Sequence, residues 1–205
     1  MHINIIKRIS TAYITVGCTF GTWVSPILSG LLILILRLIV GFFRILDIIF
    51  FPSINFKKLK KPIIIVGNPR SGTTFLHRYL VNNKVGVGSQ LWQMLYPSLI
   101  LQKMIKPFLS QLEKISPTRH HSTAAHATSL QSVETDDAAI FFRYFDGFFL
   151  YGFILSWAQE NLFDWVDPNK RNTTNRDYKW LSSIWVRNQY QSKQKRTIGK
   201  LFSLS

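Results

Sequence analysis

The first fifty residues of the chain are rich in apolar residues. No charged residue lies between Arg8 and Arg37, and leucine and isoleucine become dense after Trp23. Because about 20 apolar residues span a bilayer as a helix, this pattern predicts one transmembrane segment within residues 10–36. The segment that follows, residues 37–51, keeps a few charges among apolar positions and predicts an amphipathic helix at the membrane interface. The alternative is that both pieces form a helical hairpin docked on the membrane without crossing it.

The charges that flank the apolar stretch predict its orientation. Lys7 and Arg8 precede it, and a larger basic set follows it: Arg37, Arg44, Lys57, Lys58, Lys60 and Lys61. Cytoplasmic flanks carry an excess of lysine and arginine, so the C-terminal domain is expected on the cytoplasmic side. Asp47, three residues after Arg44, is predicted to pair with it.

A second, shorter apolar run follows the basic cluster at residues 57–61 and predicts a buried strand. Residues 63–66 are all β-branched and show no polar alternation, which is typical of a parallel strand covered on both faces. The next six residues are too rich in glycine and proline to continue it. Thr73 and Thr74 then open a helix with one apolar face, and residues 85–88 predict a short second strand. The expected fold is therefore α/β, with a parallel sheet flanked by helices.

The remaining sequence predicts mainly helices. Residues 91–115 have a helical pattern broken by Pro97 and Pro107. An acidic cluster, residues 134–137, precedes an aromatic run at 138–157, as acidic residues often precede a helix. The aromatic run is expected to be mostly core, or else to line an apolar pocket. After it comes one helical packing stripe: Trp180, Leu181, Ile184 and Trp185. No strand–helix unit is predicted after this stripe.

Composition and charge exclude some classes of function. The chain has 205 residues and a formal net charge of +15, but its basic residues are dispersed and no nucleic-acid motif accompanies them. An anionic donor and an anionic membrane surface explain the charge equally well, so no nucleic-acid partner is expected. The single cysteine, Cys18, excludes an intramolecular disulfide and a cysteine-rich metal site. The histidines at 120, 121 and 126 lack zinc-site spacing, and no metal is predicted.

The turn between the predicted strand and helix has the chemistry of a phosphate site. Backbone N–H groups of a glycine loop and of a helix start converge on an anion. Gly67 and Gly72 have the spacing of a Walker A loop, but two threonines stand where that loop carries Lys-Ser or Lys-Thr. The cation lies inside the loop instead, at Arg70. A guanidinium beside one bound phosphate suits a donor in which that phosphate is joined to a second oxyanion.

Residues 63–80, IIIVGNPRSGTTFLHRYL, closely resemble the 5′-phosphosulfate loop of sulfotransferases. The PRSGTT core is specific to that loop when it follows a strand and opens a helix. The resemblance implies a P-loop fold of the membrane-attached or bacterial type. It also implies that 3′-phosphoadenosine 5′-phosphosulfate (PAPS) donates a sulfuryl group to a hydroxyl or amine acceptor. An atypical P-loop kinase or NTPase, and a non-catalytic membrane protein with a vestigial loop, remain as alternatives.

The resemblance also assigns roles to residues. The donor-binding set is Gly67, Arg70, Ser71, Gly72, Thr73 and Thr74. Main-chain N–H groups from residues 71–74 would hold the 5′-phosphate, and Arg70 would neutralise charge on the transferring group. A base would accept the proton of the acceptor, the candidates being Glu134, His120, His121 and His126. Gln93 stands at a position that is often acidic in the family, and an amide cannot act as a base. An acidic cluster like that at 134–137 recurs near the acceptor site of these enzymes.

One part of the family pattern is missing from the sequence. Sulfotransferases hold the 3′-phosphate with an arginine and a serine on a later strand and helix, often near Arg-Asp-Pro. No such sequence is present. The resemblance covers about residues 44–190, roughly the N-terminal half of a full enzyme. The expected organisation is a membrane-anchoring segment at 1–56 and a partial sulfotransferase domain at 57–205, from a fragment, a truncated reading frame or a degenerate member.

Overall fold

The structure is a computed structural model that describes residues 5–68, 71–115, 129–131, 133, 137–160, 162–194 and 196–201. Over these residues the fold is α/β and mostly helical, with one three-stranded parallel sheet. Contacts group the chain into two units. Unit 1 comprises Met1–Ile39 and Ala139–Trp180, and unit 2 comprises Val40–Ala138 and Leu181–Ser205. This grouping differs from the division expected at residue 56, and each unit is described by itself.

The elements follow one another along the chain in this order: α1 (Ile5–Phe20), α2 (Val24–Phe50), α3 (Ser53–Phe56), β1 (Ile63–Ile65), α4 (Thr73–Asn82), β2 (Val87–Gly88), α5 (Leu91–Leu95), α6 (Leu99–Ile105), α7 (Leu109–Ile115), α8 (Phe148–Phe153), α9 (Phe163–Val166), α10 (Thr174–Ser192) and β3 (Thr197–Lys200). Short 3₁₀ helices lie at Lys106–Phe108, Asp137–Tyr144 and Leu155–Trp157. The helix expected over the aromatic run is therefore broken, and Gly147, with a φ of 81°, lies at one of the breaks. The predicted interruptions of residues 91–115 are confirmed.

The apolar N-terminal stretch is two helices rather than one. Helix α1 ends at Phe20, and Gly21 takes a φ of 66°, which interrupts the helix. The Trp23 ring packs directly over Gly17, where a Cβ would collide with it. The predicted transmembrane segment within residues 10–36 is therefore wrong in its bounds. By length and composition, α2 is the one helix in the described part of the chain that could cross a membrane.

The carboxyl end of α2 is held inside unit 2 by one buried carboxylate. Asp47 is fully buried and accepts hydrogen bonds from the Ser98 hydroxyl at 2.9 Å and from the N–H groups of Leu99 and Ile100 at 3.0 and 3.1 Å. It also accepts one from Arg187 Nε at 2.9 Å. Asp47 therefore satisfies N–H groups at the start of α6 and neutralises a buried guanidinium.

These contacts correct two sequence-based predictions. The separate amphipathic helix expected at residues 37–51 is wrong, because α2 continues through that range without a break. The ion-pair partner that the structure gives Asp47 is Arg187, which is 140 positions away in the sequence. The prediction of an Arg44 partner followed local helical spacing and could not include so distant a residue.

Helix α2 is expected to keep the protein with membranes through a carbonate wash. Its outer residues Leu28, Leu31 and Leu32 are more than half exposed, and lipid would cover them. A Leu32→Lys variant is expected to be retained less, because a lysine at a helix centre costs about 2.5–3.5 kcal/mol on insertion. Recovery of the unmodified chain in the soluble fraction would contradict the spanning arrangement and leave the peripheral one. Protease access to residues 57–61 from the cytoplasmic side tests orientation separately.

The sheet has the strand order β1-β3-β2, and both pairings are parallel. The predicted first and second strands are confirmed, although each is shorter than expected. The central strand, β3, was not predicted: no strand–helix unit was expected after the α10 stripe, yet a strand follows it. Ile198 in β3 is fully buried and registers with Ile63 on one side and Gly88 on the other.

Helices α4 and α10 support the sheet in unit 2. Helix α4 begins at Thr73, as predicted, and its buried His77 places Nε2 3.2 Å from the Ile198 carbonyl oxygen in β3. In α10, Leu181, Ile184 and Trp185 are buried, which confirms three of the four residues of the predicted packing face, and Trp180 is half-buried. The Trp185 ring lies against Gly199, where a Cβ would come within 2.5 Å of the ring.

Unit 1 contains an arginine cluster around one carboxylate, Asp146. Arg171 binds both carboxylate oxygens, Arg176 Nη2 lies 2.7 Å from one of them, and Arg8 Nη1 lies 3.7 Å away. Burial alone raises the pKa of Asp146, but hydrogen bonds from Arg171 and Arg176 outweigh it and hold the pKa below its usual value. The stabilisation is therefore present at neutral pH and is lost as the pH falls through that lowered pKa.

Candidate anion-binding site

The glycine loop lies at the carboxyl edge of the sheet. Because β1 and β3 are parallel, their ends meet at one edge: Ile65 registers with Lys200, and Leu201 N donates to the Ile65 carbonyl at 3.0 Å. Ligands of open α/β sheets bind beyond this edge. The loop after β1 and the last residue of β3 are therefore in the position where an α/β protein places a ligand.

Gly72 has the backbone conformation that favours glycine, whereas Gly67 has two side chains packed close to it. A Cβ on Gly67 would lie 2.9 Å from Ser71 Oγ and 3.0 Å from Thr73 Cγ2, so the loop folds back closely on that position. Gly72 has a φ of 82° and is the N-cap of α4, so it offers no side chain to cap the helix. The first turn of α4 contains no acidic residue. Together with the helix dipole, this leaves a positive end that attracts an anion.

A lysine from β3 adds a cation to this helix start. Lys200 Nζ donates a hydrogen bond to Thr74 Oγ1 at 2.9 Å, and the residue is only 5% exposed. A buried ammonium beside the positive end of a helix concentrates positive potential at one point. An anion bound there would interact with the ammonium, the threonine hydroxyl and the helix N–H groups together.

Asp137 fixes the strand end that carries this lysine. Its carboxylate accepts the Lys200 backbone N–H at 2.7 Å and the Trp185 Nε1–H at 3.3 Å, and the residue is 1% exposed. Asp137 is the first residue of a 3₁₀ helix, which agrees with its interpretation as a helix-start carboxylate. The sequence suggested that the acidic cluster is either a helix start or part of the acceptor site. Neither interpretation included the role that the structure shows, in which Asp137 holds β3 in place.

The structure brings together five of the predicted site residues: Gly67, Ser71, Gly72, Thr73 and Thr74. The Ser71 N–H donates to the Asn68 carbonyl at 3.2 Å, so the turn itself uses this donor. Arg70, Glu134 and the histidines at 120, 121 and 126 lie outside the described residues, and their roles stay predictions. Gln93 accepts the Gln90 N–H at 3.0 Å in a capping box, so its amide has a structural role.

Lys200 is the functional candidate that sequence analysis missed. The sequence indicates strand β3 only weakly, because only Thr197 and Ile198 are β-branched among its four residues. A parallel strand becomes recognisable through its partners, and here the partners lie more than a hundred residues away.

Comparison of the chain with family models, with curated proteins and with solved structures finds no match. The assignment of this site therefore depends on its geometry and on the residue pattern of the loop.

Proposed function

We propose that the chain is a membrane-attached sulfotransferase domain that uses PAPS to sulfate a hydroxyl or amine acceptor. The observation that supports this most is the hydrogen bond from Lys200 Nζ to Thr74 Oγ1, at the start of the helix that the PRSGTT sequence opens. A Walker A loop carries its lysine within the loop to bridge the outer phosphates of a triphosphate. Here the lysine comes from a neighbouring strand and meets the first helical turn, where a single phosphate would bind.

The proposed reaction is an in-line displacement at sulfur. The acceptor oxygen or nitrogen bonds to the sulfur of PAPS as the bond from sulfur to the bridging oxygen breaks, and 3′-phosphoadenosine 5′-phosphate leaves. Helix N–H groups and the hydroxyls of Thr73 and Thr74 hold the 5′-phosphate. Lys200 and Arg70 stabilise the charge that develops on the bridging oxygen. The proton of the acceptor passes to a base, for which Glu134 and the histidines at 120, 121 and 126 are the candidates.

A P-loop kinase or NTPase is the second candidate, and the same lysine gives it some support. Such an enzyme needs a lysine near the outer phosphates and a hydroxyl on Mg²⁺. Lys200 and Thr74 could supply both groups. Mg²⁺-dependent binding of ATP would favour this candidate, whereas Mg²⁺-independent transfer of sulfur from labelled PAPS to hydroxyl or amine acceptors would favour the sulfotransferase.

The membrane part of the proposal concerns where the domain acts. Unit 2 would work at the cytoplasmic surface, with α2 as the attachment, because most basic residues that flank the apolar stretch follow it. An acceptor that is itself membrane-bound would then be close to the site. Membrane fractions are therefore the source in which to look for the acceptor.

Replacement of Lys200 by glutamine is expected to weaken donor binding by about 10- to 150-fold. A hydrogen bond to a charged group contributes about 1.5–3 kcal/mol, and glutamine keeps a donor but loses the charge. Titration calorimetry with 3′-phosphoadenosine 5′-phosphate measures the change, and Lys58→Gln, which removes an exposed charge from the same unit, is the control. Equal affinities of the Lys200 variant and the parent would exclude Lys200 from the site.

A further inference from the structure

Unit 1 contains a cavity of about 630 Å³, lined by α1, by the first half of α2 and by side chains from within residues 142–154, a range that includes α8. Its walls are almost entirely apolar and include Ile9, Val16, Ile33, Phe142 and Leu150. Cavities of this size and lining bind small apolar molecules. The sequence offered two interpretations of the aromatic run, a core segment or the wall of an apolar pocket, and Phe142 and Phe145 do line this cavity. All the lining residues belong to unit 1.

A single charged residue, Arg37, lies in the cavity lining. Its guanidinium is 5.8 Å from the centre of the Tyr144 ring, and that of Arg143 is 5.5 Å from the same ring. Arg143 also stacks at 3.6 Å on Trp180. The Arg176 guanidinium lies over the same Tyr144 ring at 4.5 Å, so three guanidinium groups share this ring. Arg176 is paired with Asp146 and Asp177, which leaves Arg37 and Arg143 to consider.

This arginine pair has no carboxylate to neutralise it among the described residues. Asp146 takes the ion pairs of the other arginines in unit 1, and the structure gives none to Arg37 or Arg143. The Nε atom of Arg143 is buried without a hydrogen-bond partner. Burial, with a smaller effect from the Arg37 charge, lowers the pKa of Arg143 to about 10. Two like charges close together are unfavourable, and an anion bound at Arg37 would reduce their repulsion.

We propose that this cavity binds an anionic membrane phospholipid, with an acyl chain against the apolar walls and the phosphate at Arg37, the charged residue of its lining. The combination of an apolar cavity with a cationic end matches an amphiphile better than a wholly apolar or wholly polar ligand. The source is the bilayer, because Ile27 and Leu34, which line the cavity, are more than half exposed on the helix that could cross it. A lipid can therefore reach the cavity without passing through water.

The test uses the full chain, delipidated in detergent and titrated with phosphatidylglycerol or phosphatidylcholine of the same short chain length. The anionic lipid is expected to bind at least tenfold more tightly. Arg37→Gln should reduce that preference to nearly nothing, and Lys7→Gln, which removes an exposed charge outside the cavity, should preserve it. Equal affinity of the parent chain for the two lipids would overturn the proposal. Tighter binding of a free fatty acid than of phosphatidylglycerol would also overturn it.

A second pair of variants tests the cavity itself. Gly30 lines it, and a Cβ added there would meet nothing within 4 Å, so Gly30→Phe should fill the space and abolish binding of both lipids. Gly41 lies on the same helix with equally open space but outside the cavity, so Gly41→Phe should bind as the parent does. Ile33→Trp replaces Gly30→Phe if that variant does not fold, as judged by circular dichroism. Undiminished binding in a folded cavity-filling variant would contradict the proposed site.

Discussion

Replacement of Asp47 by alanine is expected to lower the free energy of unfolding by about 3–5 kcal/mol. The side chain of Asp47 is 0% exposed and that of its partner Arg187 is 6% exposed. Removing the carboxylate leaves the Arg187 charge buried and uncompensated, and it also removes the acceptor for the N–H groups of Leu99 and Ile100. Such a loss is large relative to the whole stability of a typical domain.

Thermal unfolding in detergent measures this effect. For a chain of this length, 1 kcal/mol corresponds to about 2–4 °C, so a fall of roughly 6–20 °C is expected. Asp164→Ala is the matched control: its pair with Lys170 is exposed to solvent, so its removal should leave the melting temperature almost unchanged. A change for Asp47→Ala no larger than that of the control would show that the carboxyl end of α2 does not dock as described.

Replacement of Arg70 by alanine is expected to reduce sulfuryl transfer by about 10²- to 10³-fold. Arg70 is the only cation within the loop sequence 67–74, and its proposed partner is the charge that develops as the sulfur–oxygen bond breaks. Because Lys200 and the α4 helix start remain, the loss should fall on kcat more than on donor affinity. Arg70→Lys should retain part of the activity, since the charge stays but the planar pair of donors is lost.

The measurement is transfer of labelled sulfur from PAPS to a membrane-derived acceptor. Arg78→Ala is the control, because it removes an exposed arginine from α4, further along the same helix. Turnover by Arg70→Ala equal to that of the parent would refute the role assigned to this arginine. A loss confined to donor affinity would assign Arg70 to donor binding rather than to the transition state.

The strand, loop and helix of the site were predictable because their signals are local. Three consecutive isoleucines form β1, and Gly72 has the positive φ that begins α4. Each of these residues indicates its conformation through its own sterics and polarity, without a distant partner. The sequence was therefore sufficient to place five of the predicted site residues in one loop and the helix start that follows it.

The parts that sequence analysis missed depend on distant partners. Strand β3 is short, and it is defined by pairing with β1 and β2 more than a hundred residues earlier. The Asp47–Arg187 pair likewise joins residues 140 positions apart, so helical spacing suggested a nearer partner. The break after α1 has a different cause. It occurs at Gly21, which has a positive φ, and the hydropathy of the surrounding apolar run does not indicate that conformation.

The central claim is that the loop with Lys200 binds a phosphosulfate, and titration calorimetry with PAPS and with its analogue lacking the 3′-phosphate tests it most directly. The sequence assigns no residue to the 3′-phosphate, and two missing charge-assisted contacts weaken binding by roughly two to four orders of magnitude. Both ligands should therefore bind weakly and with similar affinity, without Mg²⁺, and Lys200→Gln should weaken both. Absence of binding by either ligand, or tighter Mg²⁺-dependent binding of ATP, would contradict the claim. A hundredfold preference for PAPS would reveal a 3′-phosphate site that the sequence did not indicate.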